Sequence, residues 1–226
     1  MTDESWAGWY RDRQGSDAVI LTTDGQQLRL RVRGVDFEGG SFDALRPVAS
    51  GPVENGMFAL TDGALGDCVL EWDLPFPVMA EGVERQATLS CLLSLRKPDP
   101  YLYLELRFGG AAFGSQRAES DFGSALATIQ RELPPGVSLR TCIACAFSDY
   151  FPAPDPAPGR GLSGGLACFR GAKEEYRGTA GERDVLGLWE RRTGFVQEVW
   201  SCREFEPRPT EGAGTGHRGA FPLETA

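Results

Sequence analysis

Four of the chain's six cysteines crowd its C-terminal half: Cys142 and Cys145 as a C-x-x-C pair, then Cys168, then Cys202. Four thiolates suffice to hold one zinc ion in a closed tetrahedral site, and a tight turn across C-x-x-C aims two sulfurs at one point. Cys142, Cys145, Cys168 and Cys202 are therefore the candidate ligands of a structural zinc. The same spacing has a second reading. If residues 139–147 run as an unbroken strand, Cys142 and Cys145 face opposite ways and share no ion, and the four are then small core residues. A thioredoxin-type redox pair is disfavoured, because no β-α-β pattern sets the first cysteine at a helix N-terminus. A redox or metal-sensing regulator built on these cysteines accordingly ranks last among the functional readings.

Other reactive side chains are sparse. In Phe147-Ser148-Asp149-Tyr150-Phe151-Pro152, a strand end runs into the Pro-rich stretch 152–159, where Asp149 and Tyr150 would project into a pocket if the protein were an enzyme. An Asx-type turn with Tyr150 half-buried explains the same residues. His217 is the only histidine and sits in a Gly-rich stretch, so every Ser-His or Cys-His mechanism would have to use it from a tail. Neither that stretch nor residues 161–165 is followed by a helix pattern, which excludes a phosphate loop. Glu174 with Glu175, and Glu204 with Glu206, read as solvated charges.

Cysteine count and charge bound the setting. The N-terminal residues, Met1 to Trp6, lack a basic and apolar leader, and no stretch holds the 18 or more apolar residues of a membrane span. A soluble, cytoplasmic protein with reduced thiols is expected. A net charge of -9 opposes a general affinity for nucleic acid. Lys97 and Lys173 are the only lysines, and arginine supplies every other basic residue. Among the arginines, Arg29, Arg31 and Arg33 fall on alternate positions of a strand pattern and read as a solvated sheet face.

The elements that must position these residues are mostly strands. Ala18–Leu21 and Leu28–Arg33 flank Thr23-Asp24-Gly25 as a hairpin. Cys68, Leu70 and Trp72 form one face of a further strand. Ala87, Leu89, Cys91, Leu93 and Leu95 alternate against Leu102, Leu104, Leu106 and Phe108 as a second hairpin, which puts Cys68 and Cys91 on apolar faces. Phe122, Ala125, Leu126, Ile129 and Leu133 recur at helical spacing, predicting one principal helix over residues 120–133 that stops at Pro134-Pro135-Gly136. Beyond it, residues 139–147 and 165–169 read as strands, 173–177 as a helical turn, and 185–190 with 195–200 as a last hairpin. The expected fold is mainly β (α+β), an antiparallel β-sandwich or barrel-like core. It forms a single β-rich domain over residues 1–206, with residues 138–206 as a cysteine-containing subdomain and 207–226 as a flexible tail.

The stretch with Cys142-x-x-Cys145, Phe147 to Tyr150, Cys168-Phe169-Arg170, Lys173, Tyr176, Phe195 to Glu198 and Cys202 to Phe205 resembles an uncharacterised family of actinobacterial proteins of unknown function. That resemblance implies a bacterial, cytoplasmic source and a shared role for the four cysteines, with no activity or catalytic residue attached. The leading functional reading is a non-catalytic accessory or immunity-type factor that acts on a protein partner, stabilised by structural zinc, with neither nucleic acid nor membrane as partner. The alternative is a small-molecule metabolic enzyme with its site near Asp149 and Tyr150.

Overall fold

Strict alternation of apolar and polar residues builds one large antiparallel sheet. The computed structural model of the chain describes residues 3–48, 56–115, 119, 121–150 and 165–208. Strands β1 (Glu4–Asp12), β2 (Gly15–Thr23), β3 (Leu28–Val32), β4 (Val35–Gly39) and the short β5 (Arg46–Pro47) pair in chain order. After a separate two-stranded pair, β6 (Leu60–Thr61) and β7 (Ala64–Leu65), the same pattern resumes. Here β8 (Val69–Ala80), β9 (Val83–Ser94), β10 (Tyr101–Phe108) and β11 (Ala111–Gly114) follow as a meander. The two runs join where β1 lies against β8, so β11 and β5 end the sheet at opposite edges and the barrel-like alternative falls away.

Every second residue of these strands points to one face. In β3, Leu28, Leu30 and Val32 are buried while Arg29 and Arg31 are exposed; in β10, Leu102, Leu104 and Leu106 are buried. Both runs bury the same face, and the core gathers Leu21, Leu30 and Phe37 with Leu70, Leu89 and Leu104. Cys68 and Cys91 lie in it, as expected of small apolar side chains. The principal helix, α1 (Phe122–Glu132), covers part of this face. Asp121 caps it by accepting from the Ser124 N–H at 2.7 Å, a bond that satisfies one of the orphan donors of the first turn. Its apolar stripe docks through Phe122, which stacks on Phe42 at 5.4 Å, and Phe42 stacks in turn on Trp72 at 4.5 Å.

The C-terminal part departs from the expected strands. β12 (Val137–Leu139) pairs with β8 and stops at Arg140, and Cys142–Ala144 coil into a 3₁₀ turn. A continuous strand over 139–147 is thus replaced by strand, turn and the new strand β13 (Ser148–Tyr150). β14 (Leu166–Cys168) is the middle of a small antiparallel sheet with β13 and with β15 (Gly194–Val196). Between β14 and β15 lie α2 (Lys173–Arg177) and α3 (Glu182–Gly187), so the hairpin expected from residue 185 is a correction. Asp184 accepts from the Ala180 N–H at 2.8 Å, and Val185, Leu188 and Trp189 follow helical rather than strand spacing. Backbone pairing also runs past Glu206, where Pro207 bridges to Cys145. No helix among the described residues is long and apolar enough to cross a membrane.

Candidate functional site

Four segments meet around the cysteines. Cys145 N–H donates to the Cys142 carbonyl at 3.1 Å, closing the turn, and Ser148 Oγ donates to the carbonyls of both Cys142 and Cys145. This turn removes the objection that Cys142 and Cys145 must point apart, because a 3₁₀ turn, unlike a strand, does not alternate its side chains. The Cys142 N–H reaches the Trp200 carbonyl at 2.6 Å and the Ile143 N–H that of Glu198 at 3.2 Å, which lays residues 198–202 along the turn. Cys168 ends β14 opposite Ser148, and its carbonyl accepts from Thr193 at 2.7 Å. The fourth segment, 206–208, is held by the Ala146 N–H to the Glu206 carbonyl at 2.8 Å.

The segment carrying Cys202 is fixed to the large sheet. Gln197 N–H donates to the Gly25 carbonyl at 2.9 Å, and Thr23 Oγ1 donates to Gln197 Oε1 at 2.6 Å. Gly25 has a φ of 91°, and a Cβ there would stand 2.6 Å from the Trp200 ring. Only glycine satisfies both the turn and the indole packed over it.

The thiols are electrostatically joined. Cys142 donates its S–H to Cys202, which holds the Cys202 thiol down at about 6 and pushes that of Cys142 well up. Burial raises Cys145 and Cys168, and each feels Cys202. Backbone groups work against that rise, Glu206 and then Phe147 at Cys145 and Arg170 at Cys168, and the Glu204 backbone also lowers Cys202. All six cysteines are free thiols. Among the described residues, no three His, Cys, Asp or Glu side chains stand together as a ready metal-binding group.

Asp149 and Tyr150 each have a side-chain partner from another segment. Asp149 is 1% exposed and accepts from Tyr176 Oη at 3.1 Å; Tyr150 Oη donates to Glu198 at 2.9 Å. Glu175 pairs with Arg191, and Glu204 and Glu206 with Lys173. Lys173 and Arg177 also lie over the Phe147 ring, each 5.0 Å from its centre. His217 and the Pro-rich stretch lie outside the described residues.

A second feature, not singled out from sequence, is the outer face of the large sheet. A groove of about 1190 Å³ crosses it, lined by residues of β1, β2, β3, β4, β8, β9 and β10. Trp9, Ile20 and Val48 line it at 48%, 60% and 51% exposure. Arg29 pairs with Glu38 at 3.2 Å and Arg31 with Asp36 at 3.3 Å along one side. The signal lay in Ala18-Val19-Ile20-Leu21, which is apolar on both alternations and so leaves Ile20 on the outer face. A smaller cleft of about 470 Å³ is lined by Glu4, Arg140, Ser201, Cys202 and Arg203, among others. Asp149 and Tyr150 line neither.

A family model matches residues 4–148, well over half the chain. The chain belongs to DUF6304, a family of unknown function. The matched span holds the large sheet, α1 and four of the six cysteines, Cys142 and Cys145 among them, and ends before Cys168 and Cys202. Neither a curated protein nor a solved structure matches it.

Proposed function

We propose that the protein is a non-catalytic, cytoplasmic interaction module that takes a protein partner on the outer face of its large sheet. The observation that carries this reading is the groove itself, with Trp9, Ile20 and Val48 exposed in it and charged pairs beside them. An apolar centre flanked by polar groups is the anatomy of a protein interface, and exposed apolar groups gathered in one place mark binding surfaces more often than scattered ones do. The chemistry of the partner follows from the charges. Arg29, Arg31 and Arg11 are already paired with Glu38, Asp36 and Glu71, so the groove offers no surplus cation to a phosphate backbone. It suits a polypeptide segment with an apolar ridge and little net charge.

A photo-reactive phenylalanine analogue at Ile20, introduced into the full chain in its native host, tests this. The expected result is one defined protein adduct at position 20 and none at Val83, which is equally exposed but outside the groove. The substitution Ile20→Arg should abolish the complex while changing stability by no more than about 0.5 kcal/mol. Identical labelling at both positions, or a complex untouched by Ile20→Arg, would refute the reading.

A further inference from the structure

We infer that Cys142, Cys145, Cys168 and Cys202 bind one zinc ion as a closed, structural tetrathiolate site. Backbone geometry converges them independently of any sulfur property: the 3₁₀ turn presents Cys142 and Cys145, β14 ends at Cys168 beside that turn, and the Cys142 N–H clasps residues 198–202 through Trp200. Ser148, opposite Cys168 in the β13–β14 ladder, bonds through Oγ to the carbonyls of Cys142 and Cys145, so one residue ties three of the four cysteines together. Two cations complement the cluster, which would carry a net charge of -2 once four thiolates surround a divalent ion. Arg170 follows Cys168 by two residues, and the Arg208 N–H bonds to the carbonyl of Ala144, the neighbour of Cys145. Arg208 is tethered in place by a 2.6 Å bond from its guanidinium to the Ser148 carbonyl.

The local fold gives such an ion a task. β13, β14 and β15 have three residues each, α2 five and α3 six, and the satellite core beneath them contains six buried residues. Elements this short have little buried area to offset their ordering entropy, and a metal that cross-links three segments supplies what packing lacks. Cys202 opens onto the smaller cleft, which provides an entry path. On binding, each thiol releases its proton to solvent and four Zn–S bonds form, with no change of oxidation state. The ion must draw the sulfurs inward to about 2.3 Å from itself. With every position filled by protein, no site remains for water, so the ion has no catalytic role. Cys68 and Cys91 are buried in the main core and take no part.

The test uses the full-length protein purified from zinc-supplemented medium without chelators. Elemental analysis should find about one zinc per chain. Replacing that zinc with Co(II) should give thiolate-to-cobalt charge transfer in the near ultraviolet and the visible bands of a tetrahedral ion. Cys202→Ser, at the least buried of the four positions, should lose stoichiometric zinc, as should Cys168→Ser; Cys68→Ser and Cys91→Ser should retain it. If a ligand variant does not fold, the cobalt spectrum of the unmodified protein still decides. Protein that carries no zinc, shows no cobalt charge transfer and melts at the same temperature with or without added zinc would overturn the inference. So would a Cys142–Cys202 disulfide in intact protein, or zinc retained by both ligand variants.

Discussion

At the residue scale, Arg33 shows how one turn converts an expected surface charge into a structural one. Arg29 and Arg31 sit on the solvated face as their alternation predicts, but the β3–β4 hairpin turns at Arg33-Gly34, with φ of 49° and 81°. Positive φ at both central residues matches the right-handed twist of the flanking strands. The turn swings the Arg33 guanidinium over the Tyr10 ring at 5.3 Å and onto Asp12, at 2.7 and 2.9 Å, and Asp17, at 2.7 Å. Its side chain is 15% exposed and that of Asp12 3%. Arg33 holds the Asp12 carboxyl down at about 2, against an ordinary value of 3.8. Since the carboxyl titrates lower folded than unfolded, the folded state gains about 2 kcal/mol above pH 4, lost as pH falls through 2. Arg33→Ala strands a buried carboxylate and should cost about 3–5 kcal/mol at neutral pH, and the loss should shrink in acid. Urea denaturation of the two proteins at pH 7 and pH 3 measures this; an equal loss at both would refute it.

At the element scale, the large sheet depends on one seam. β1 meets β8 over four paired residues, Gly8 to Arg11 against Trp72 to Val69, and among the described residues no other strand pairing joins the two runs. Gly8 lies where the strands come closest. A Cβ there would collide with the Glu71 carbonyl oxygen and stand 2.9 Å from the Trp72 Cβ, and a backbone carbonyl in the paired strand has little room to yield. Gly8→Ala should therefore destabilise the fold by about 1–3 kcal/mol, as overpacking does. Gly40→Ala, whose new methyl meets nothing nearer than 4.0 Å, should be close to neutral. Comparing the melting temperatures of the two variants checks the seam, and equal values would refute its importance.

At the scale of the whole molecule, the C-terminal part shares the sheet's core through Ile143, Leu166, Val199 and Trp200 and is tied further by backbone hydrogen bonds between its own segments. Pro207 and Arg208 belong to those ties. The Arg208 N–H reaches the Ala144 carbonyl at 3.4 Å, and its guanidinium donates to the Ser148 carbonyl. A chain ending at Glu206 should lose about 1.5–3 kcal/mol relative to one ending at Arg208, the range for a hydrogen bond to a charged group. The chain ending at Arg208 should melt like the full-length protein, since residues 209–226 offer little apolar surface to bury. Calorimetry on the three chains distinguishes them; equal stability of the two truncations would remove Arg208 from the structural core.

What the residue pattern determined by itself was local and periodic. Leu28, Leu30 and Val32 against Arg29 and Arg31, and Leu102 to Leu106 against their neighbours, specify strand and inward face, because a two-residue repeat has one way to bury its apolar half. Phe122 to Ile129 specify the helix for the same reason at a longer period. Where no period exists, only tertiary structure decided. Cys142 to Cys145 are equally compatible with strand or turn; the turn wins because Glu198 and Trp200, more than fifty residues further along the chain, and Ser148 each take one of its backbone groups. The place of Asp149 was likewise invisible, since Tyr176 lies 27 positions away and reaches it only after β14 and α2 have folded beside it. The outer groove needs residues from seven strands to be aligned before Trp9, Ile20 and Val48 share one surface. Alternation tells which face a residue takes, and strand order tells which residues it meets there. That order comes from how the whole apolar face closes on itself, which no short window of sequence contains.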